Sequence, residues 1–125
     1  MDLPDYIEIR TSSIPNAGKG AFATKLLYKG QILGDYTGQE VTEDADGDYV
    51  LMVQGYNSKG KEVNRYIDAE DPSSSWPRYL NSIKRGDSRK KNCAFFINGD
   101  KVSVKTLREI QPGEELLVDY GHEYF

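Results

Sequence analysis

The run Pro112-Gly113-Glu114-Glu115-Leu116-Leu117-Val118-Asp119-Tyr120-Gly121 decides how the rest of the chain is read. Proline presets φ for a turn and glycine accepts the positive φ that follows, so Leu116, Leu117 and Val118 read as a short buried strand. That strand delivers Asp119, Tyr120 and Gly121 side by side at its mouth. The same design occurs earlier as Lys29-Gly30-Gln31-Ile32-Leu33-Gly34-Asp35-Tyr36-Thr37-Gly38, with a turn glycine, a short apolar run, Asp-Tyr and a closing glycine. Two such units are too few and too far apart for a solenoid. One reading makes them ordinary strands with edge tyrosines; the other makes two phenol hydroxyls line one pocket.

Working outward, the remaining segments are short and strand-like. Tyr6-Ile7-Glu8-Ile9-Arg10 alternates, as a strand with one covered face does. In Asn16-Ala17-Gly18-Lys19-Gly20-Ala21-Phe22 two glycines flank Lys19, which suits a tight turn or a close backbone approach to a ligand. The Gly-Lys-Ser/Thr ending of a phosphate loop is absent. Residues 48–53 and 63–68 read as strands joined through a turn at Asn57-Ser58-Lys59-Gly60. Residues 72–75 offer helix-start chemistry for a turn or two of helix over 76–80, which Asn81-Ser82 ends. Residues 94–97 and 101–105 form a hairpin about Asn98-Gly99, the preferred pair for a tight primed turn. Many short strands, close turns and very little helix predict a mostly β fold without an internal linker.

Composition narrows the chemistry. One cysteine, Cys93, and one histidine, His122, provide neither an internal disulfide nor a zinc-ligand cluster nor a histidine-based triad. No metal is expected. No apolar run approaches the length of a membrane span, and Met1-Asp2-Leu3-Pro4 lacks signal-peptide character, so an intracellular chain is expected. The net charge of −4 disfavours direct nucleic-acid binding. Charge is nonetheless uneven: Glu40, Glu43, Asp44, Asp46 and Asp48 gather in one loop, and Lys84, Arg85, Arg89, Lys90 and Lys91 in another. Each cluster can be a solvated surface, and the acidic one is the better match for a basic peptide.

These blocks, in this order, resemble the SET domain of protein lysine methyltransferases. Gly18-Lys19-Gly20-Ala21-Phe22, Tyr36-Thr37-Gly38, Tyr66-Ile67-Asp68-Ala69, and Gly113-Glu114-Glu115-Leu116 with Asp119-Tyr120-Gly121 carry the likeness. Where most members carry Arg-Phe-x-Asn-His-Ser-Cys-x-Pro-Asn-Cys, this chain has Arg78-Tyr79-Leu80-Asn81-Ser82-Ile83, a basic loop, then Asn92-Cys93. With Trp76 just before it and the histidine missing, that form is similar to the PR branch of the family. The resemblance implies a single SET/PR-like domain over 1–125, built of small curved sheets. It also implies a C-terminal pseudo-knot, an exception to the rule against threaded chains.

The resemblance also assigns roles. Tyr120 would be the catalytic tyrosine, and Tyr36 a second catalytic hydroxyl and wall of the substrate lysine channel, with Phe95 and Val118 adding to that channel. S-adenosylmethionine would be the cofactor, met by Lys19, Gly20, Tyr49, Arg78 and Asn81. Ser82 stands in the place of the missing histidine and would offer its backbone. Without a cysteine-rich tail, Tyr124, the second subunit of a homodimer or the substrate would close the adenine side. The substrate would be a basic peptide such as a histone tail, the role chromatin regulation and the compartment the nucleus. Some PR domains methylate histones and others have no established activity, so a catalytically inactive interaction module is the alternative.

Overall fold

The computed structural model describes residues 3–42, 50–57, 59–71, 75–83 and 90–119. In chain order these form β1 (Ile7–Thr11), β2 (Lys19–Ala23), β3 (Ile32–Asp35), β4 (Gln39–Glu40), β5 (Val50–Tyr56), β6 (Glu62–Asp68), a 3-10 turn (Trp76–Tyr79), β7 (Asn81–Ser82), β8 (Cys93–Asn98), β9 (Lys101–Thr106) and β10 (Leu117–Val118). They pair into four small sheets: β1-β2, β3-β9-β8, β4-β6-β5 and β7-β10. None of the helical segments described is long and apolar enough to cross a membrane.

Burial explains the sequence patterns. Leu51, Met52 and Val53 of β5 are all buried, so this strand is covered on both faces and reads as a continuous apolar run. In β9, Val102, Ser103 and Val104 are likewise buried, and the Ser103 hydroxyl is satisfied by donating to Asp35 Oδ1 at 2.7 Å. The two Pro/Lys-Gly turns form as expected, with φ of 80° at Gly30 and 90° at Gly113. Leu27 and Ile110, one ahead of each turn, exchange backbone hydrogen bonds of 2.9 Å.

The hairpin forms, but its turn sits one residue later than Asn98-Gly99. Asn98 stays in the ladder opposite Lys101, so Gly99 and Asp100 are the loop residues. Gly99 has φ of 63°, whereas Asp100 is not among the positive-φ residues. A glycine in the first loop position is the requirement of a type II′ turn, and the chain meets it without drawing Asn98 out of the strand.

Asn81-Ser82 does more than end the 3-10 turn. It is a strand pairing in parallel with the C-terminal run, Leu117 beside Asn81 and Val118 beside Ser82. Ile83 N–H continues the pairing to the Val118 carbonyl at 2.9 Å. On the other side, Asn92 donates its N–H to the Leu117 carbonyl at 2.9 Å and accepts the Leu117 N–H on Oδ1 at 2.8 Å. Its Nδ2 donates to the Glu115 carbonyl at 2.9 Å. Leu117–Val118 therefore lies between the two ends of the 83–92 connection, the described part of the threaded arrangement.

Candidate active site

Two groups of residues meet at β10. The first joins β2 to β7: Asn81 Nδ2 donates to the Lys19 carbonyl at 2.9 Å and to Glu115 Oε2 at 3.2 Å. Lys19 is exposed, Gly20 is buried and Asn81 is half-buried. Gly20 lets the carboxylate approach β2 closely, because a Cβ there would lie 2.3 Å from Glu115 Oε2 and 3.1 Å from Asn81 Nδ2 and would force Glu115 to shift. Lys19, Gly20 and Asn81, expected at a cofactor, are thus brought together.

Glu115 organises this group. Its Oε2 also accepts the Ser12 hydroxyl at 2.7 Å, and its Oε1 accepts the Ser13 N–H at 2.9 Å and the Ser13 hydroxyl at 2.6 Å. Burial pushes the carboxyl's pKa up, but the bonds from Ser13, Ser12 and Asn81 outweigh it and hold the group ionised below its ordinary range. Sequence reasoning placed Glu115 in a motif without giving it a site role. Its only local signal is a charged residue that breaks alternation next to buried Leu116, and its serine partners lie about a hundred residues away.

The second group is apolar. Tyr36 and Phe95 are buried and meet edge to face, ring centroids 5.4 Å apart at 81°. Tyr36 N–H donates to the Val102 carbonyl at 2.7 Å, fixing it at the end of β3. Val118, fully buried, belongs to the same core cluster, and β10 packs against β8, which carries Phe95. The three expected channel residues all lie in the buried core, Tyr36 against Phe95 and Val118 on the strand packed against β8, and the Val118–Ser82 pairing ties β10 to the polar group. Tyr36 also lines a pocket of about 250 Å³ with Asp35, Gly38, Glu40 and Arg65 among its walls. Arg65 bonds Glu40 and the Asp100 carbonyl across it.

The other expected site residues are distributed as follows. Arg78 is buried, donating Nε to the Ala69 carbonyl at 2.7 Å, Nη2 to the Glu70 carbonyl at 2.8 Å and Nη1 to the Tyr79 hydroxyl at 3.1 Å. Those bonds clamp the 3-10 turn to the chain leaving β6, and none is shared with Asn81. Ser82 donates its hydroxyl to the Ile83 carbonyl at 3.2 Å while its backbone lies in β7. Tyr49, Tyr120 and Tyr124 lie outside the described residues, as do Glu43, Asp44, Asp46, Asp48, Lys84, Arg85 and Arg89. The last described residue, Asp119, directly precedes Tyr120.

The arrangement has a chemical direction. Asn81 spends both amide protons on protein oxygens, so its Oδ1 is turned away from them and has no hydrogen-bond partner among the described residues. An acceptor held open beside Lys19 and Gly20 fits a ligand that brings a donor. Among the described residues no group of three or more histidine, cysteine, aspartate or glutamate side chains could hold a metal ion.

A family model described as the PR domain of PR domain zinc finger protein 2 matches residues 7–125. Histone-lysine N-methyltransferase PRDM7 of Homo sapiens is 35% identical over 129 residues, covering 99% of this chain and 25% of that protein. Histone-lysine N-methyltransferase set-17 of Caenorhabditis elegans is 34% identical over 125 residues, covering 98% of this chain and 43% of that protein. The chain thus spans less than half the length of either relative. The solved methyltransferase domain of human PR domain-containing protein 2 matches it with a TM-score of 0.73 at 31% identity, over 93% of this chain and 77% of that one.

Proposed function

We propose a function for this chain as a member of the family to which it belongs, the PR/SET-domain methyltransferases: it transfers a methyl group from S-adenosylmethionine to a lysine of a histone tail. The four small sheets of the described residues are the SET-domain fold, and residues 1–125 are assigned to one PR/SET unit. The observation that carries the reading is the Asn81 amide, held at Lys19–Gly20 beside the parallel β7–β10 pair. It supplies a fixed acceptor next to the strand that leads into Tyr120.

S-adenosylmethionine supplies an electrophilic sulfonium methyl; the chain's task is to bind it, align a lysine amine with it and keep water out. Lys19, Gly20 and Asn81 form the cofactor side, with Arg78, Ser82, Tyr49 and Tyr124 assigned to the same side. Alignment alone can supply up to ~11 kcal/mol of such a barrier. The amine must be neutral to attack, although a free lysine has a pKa of about 10.4. The buried surroundings of Tyr36, Phe95 and Val118 favour the neutral form by desolvation. Tyr36 and Tyr120 are assigned the hydroxyls that orient the amine.

A basic peptide suits the other side. Glu40, at the end of β4, and Asp35 and Asp100 line the Tyr36 pocket against Arg65 and Lys101. The names of the two histone-lysine methyltransferases above support a histone tail, and with it the nucleus and chromatin regulation. Calorimetric titration of S-adenosylmethionine into the wild type and Asn81→Ala tests the cofactor assignment. Saturable binding that weakens in the variant supports it, whereas no binding by the wild type overturns it and favours a silent peptide-interaction module.

A further inference from the structure

The Glu115 carboxylate joins β10's approach to Ser12, Ser13, Asn81 and Gly20, yet nothing in the transfer step requires it. An asparagine amide can be turned either way. Here, one orientation places Nδ2 against two acceptors, the Lys19 carbonyl and Glu115 Oε2, and the reverse would set Oδ1 against both. The Lys19 carbonyl contributes one of these restraints. The carboxylate contributes the charged one, which is the stronger class of bond. Ser12 and Ser13 hold the carboxylate still, and Gly20 leaves room for it.

We propose that Glu115 is a positioning residue: by holding Asn81 Nδ2 it fixes Asn81 Oδ1 as an outward acceptor, and its negative charge directly behind that amide selects the cationic one among the cofactor's donors, the α-ammonium group, over the neutral adenine amine and ribose hydroxyls. This deepens the methyltransferase reading and rests on it. Glu115→Gln replaces one carboxylate oxygen with an NH2 that faces either Ser13 N–H or Asn81 NH2. A donor then meets a donor whichever way the new amide turns, and the Asn81 orientation loses its charged restraint.

The test uses two probes, S-adenosylhomocysteine, which carries the ammonium, and 5′-methylthioadenosine, which lacks the whole amino-acid end. Glu115→Gln is expected to weaken S-adenosylhomocysteine about tenfold, as expected for one lost bond, while 5′-methylthioadenosine stays within about twofold. Asn81→Ala should show the same selectivity, and the double variant should be no weaker than Asn81→Ala alone, because Glu115 acts through Asn81. If Glu115→Gln fails to fold, Ser12→Ala, which removes one bond from Oε2, carries the same comparison with a smaller loss of about threefold. Equal weakening of both probes, or additive losses in the double variant, overturns the proposal while the methyltransferase reading survives. A wild-type chain that binds neither probe overturns both.

Discussion

Replacing Gly20 with alanine tests the site at its most crowded point. The new Cβ would lie 2.3 Å from Glu115 Oε2 and 3.1 Å from Glu115 Cδ, whereas ordinary contact begins near 3.4 Å. Oε2 must therefore retreat by about an ångström, the separation that distinguishes a hydrogen bond from none. Its bonds to Ser12 Oγ, 2.7 Å, and Asn81 Nδ2, 3.2 Å, cannot both survive such a move. A hydrogen bond to a charged group contributes about 1.5–3 kcal/mol. Gly20 does not have positive φ, so alanine fits the backbone and recovers about 0.4–1 kcal/mol through the unfolded chain. The net is a loss of about 1.5 kcal/mol if one bond breaks, equivalent in a domain of this size to a fall in Tm of roughly 6 °C. Urea unfolding measures the loss, and titration with S-adenosylhomocysteine should show weakened binding in the same protein. A Gly20→Ala chain with wild-type stability and affinity would refute the close packing of Glu115 on β2.

Three further outcomes follow from other parts of the structure. Asn92→Ala should destabilise by about 2–4 kcal/mol in urea, because it leaves the buried Leu117 N–H and Glu115 carbonyl without their side-chain partner; a change within about 0.5 kcal/mol would show that Asn92 does not pin the C-terminal run. The Arg108 guanidinium lowers the Glu114 carboxyl's pKa, and the Ser13, Ser12 and Asn81 bonds lower that of Glu115 against the effect of burial. Folded values below the ordinary 4.5 make this stability complete above that pH and lost as pH falls through the folded values, so the urea midpoint should decline below about pH 4.5, less steeply in Glu115→Gln. Burial raises the Cys93 thiol to about 12, so a thiol reagent should label it only as fast as the chain unfolds, and rapid labelling of the native chain would contradict its placement.

What the sequence made legible was local. The Asp35-Tyr36 unit, the two glycine turns, the strands over β5 and β6 and the β8–β9 hairpin all rest on residues within a few positions of one another. The shift of the hairpin turn to Gly99-Asp100 is a one-residue contest between two turn types that both accept this glycine. Long-range features gave no such signal. β7 and β10 are two residues each, too short for a periodicity, and the other edge of the C-terminal run is bonded to Asn92, distant in sequence. Glu115 looks in sequence like another surface acid, and only the meeting of Ser12, Ser13 and Asn81 turns it into a buried, satisfied carboxylate. The family motif carried Asn81 and Gly20 to the same place without revealing what the glycine makes room for, which is the close approach of that carboxylate.

Label transfer tests the methyltransferase activity most directly. The purified chain, incubated with S-adenosylmethionine labelled in its methyl group and with mixed core histones, should place label on histone lysine, and Tyr120→Phe should abolish that label while leaving cofactor binding intact. Wild-type protein that binds the cofactor yet leaves the histones unlabelled, or label that persists in Tyr120→Phe, would contradict the account.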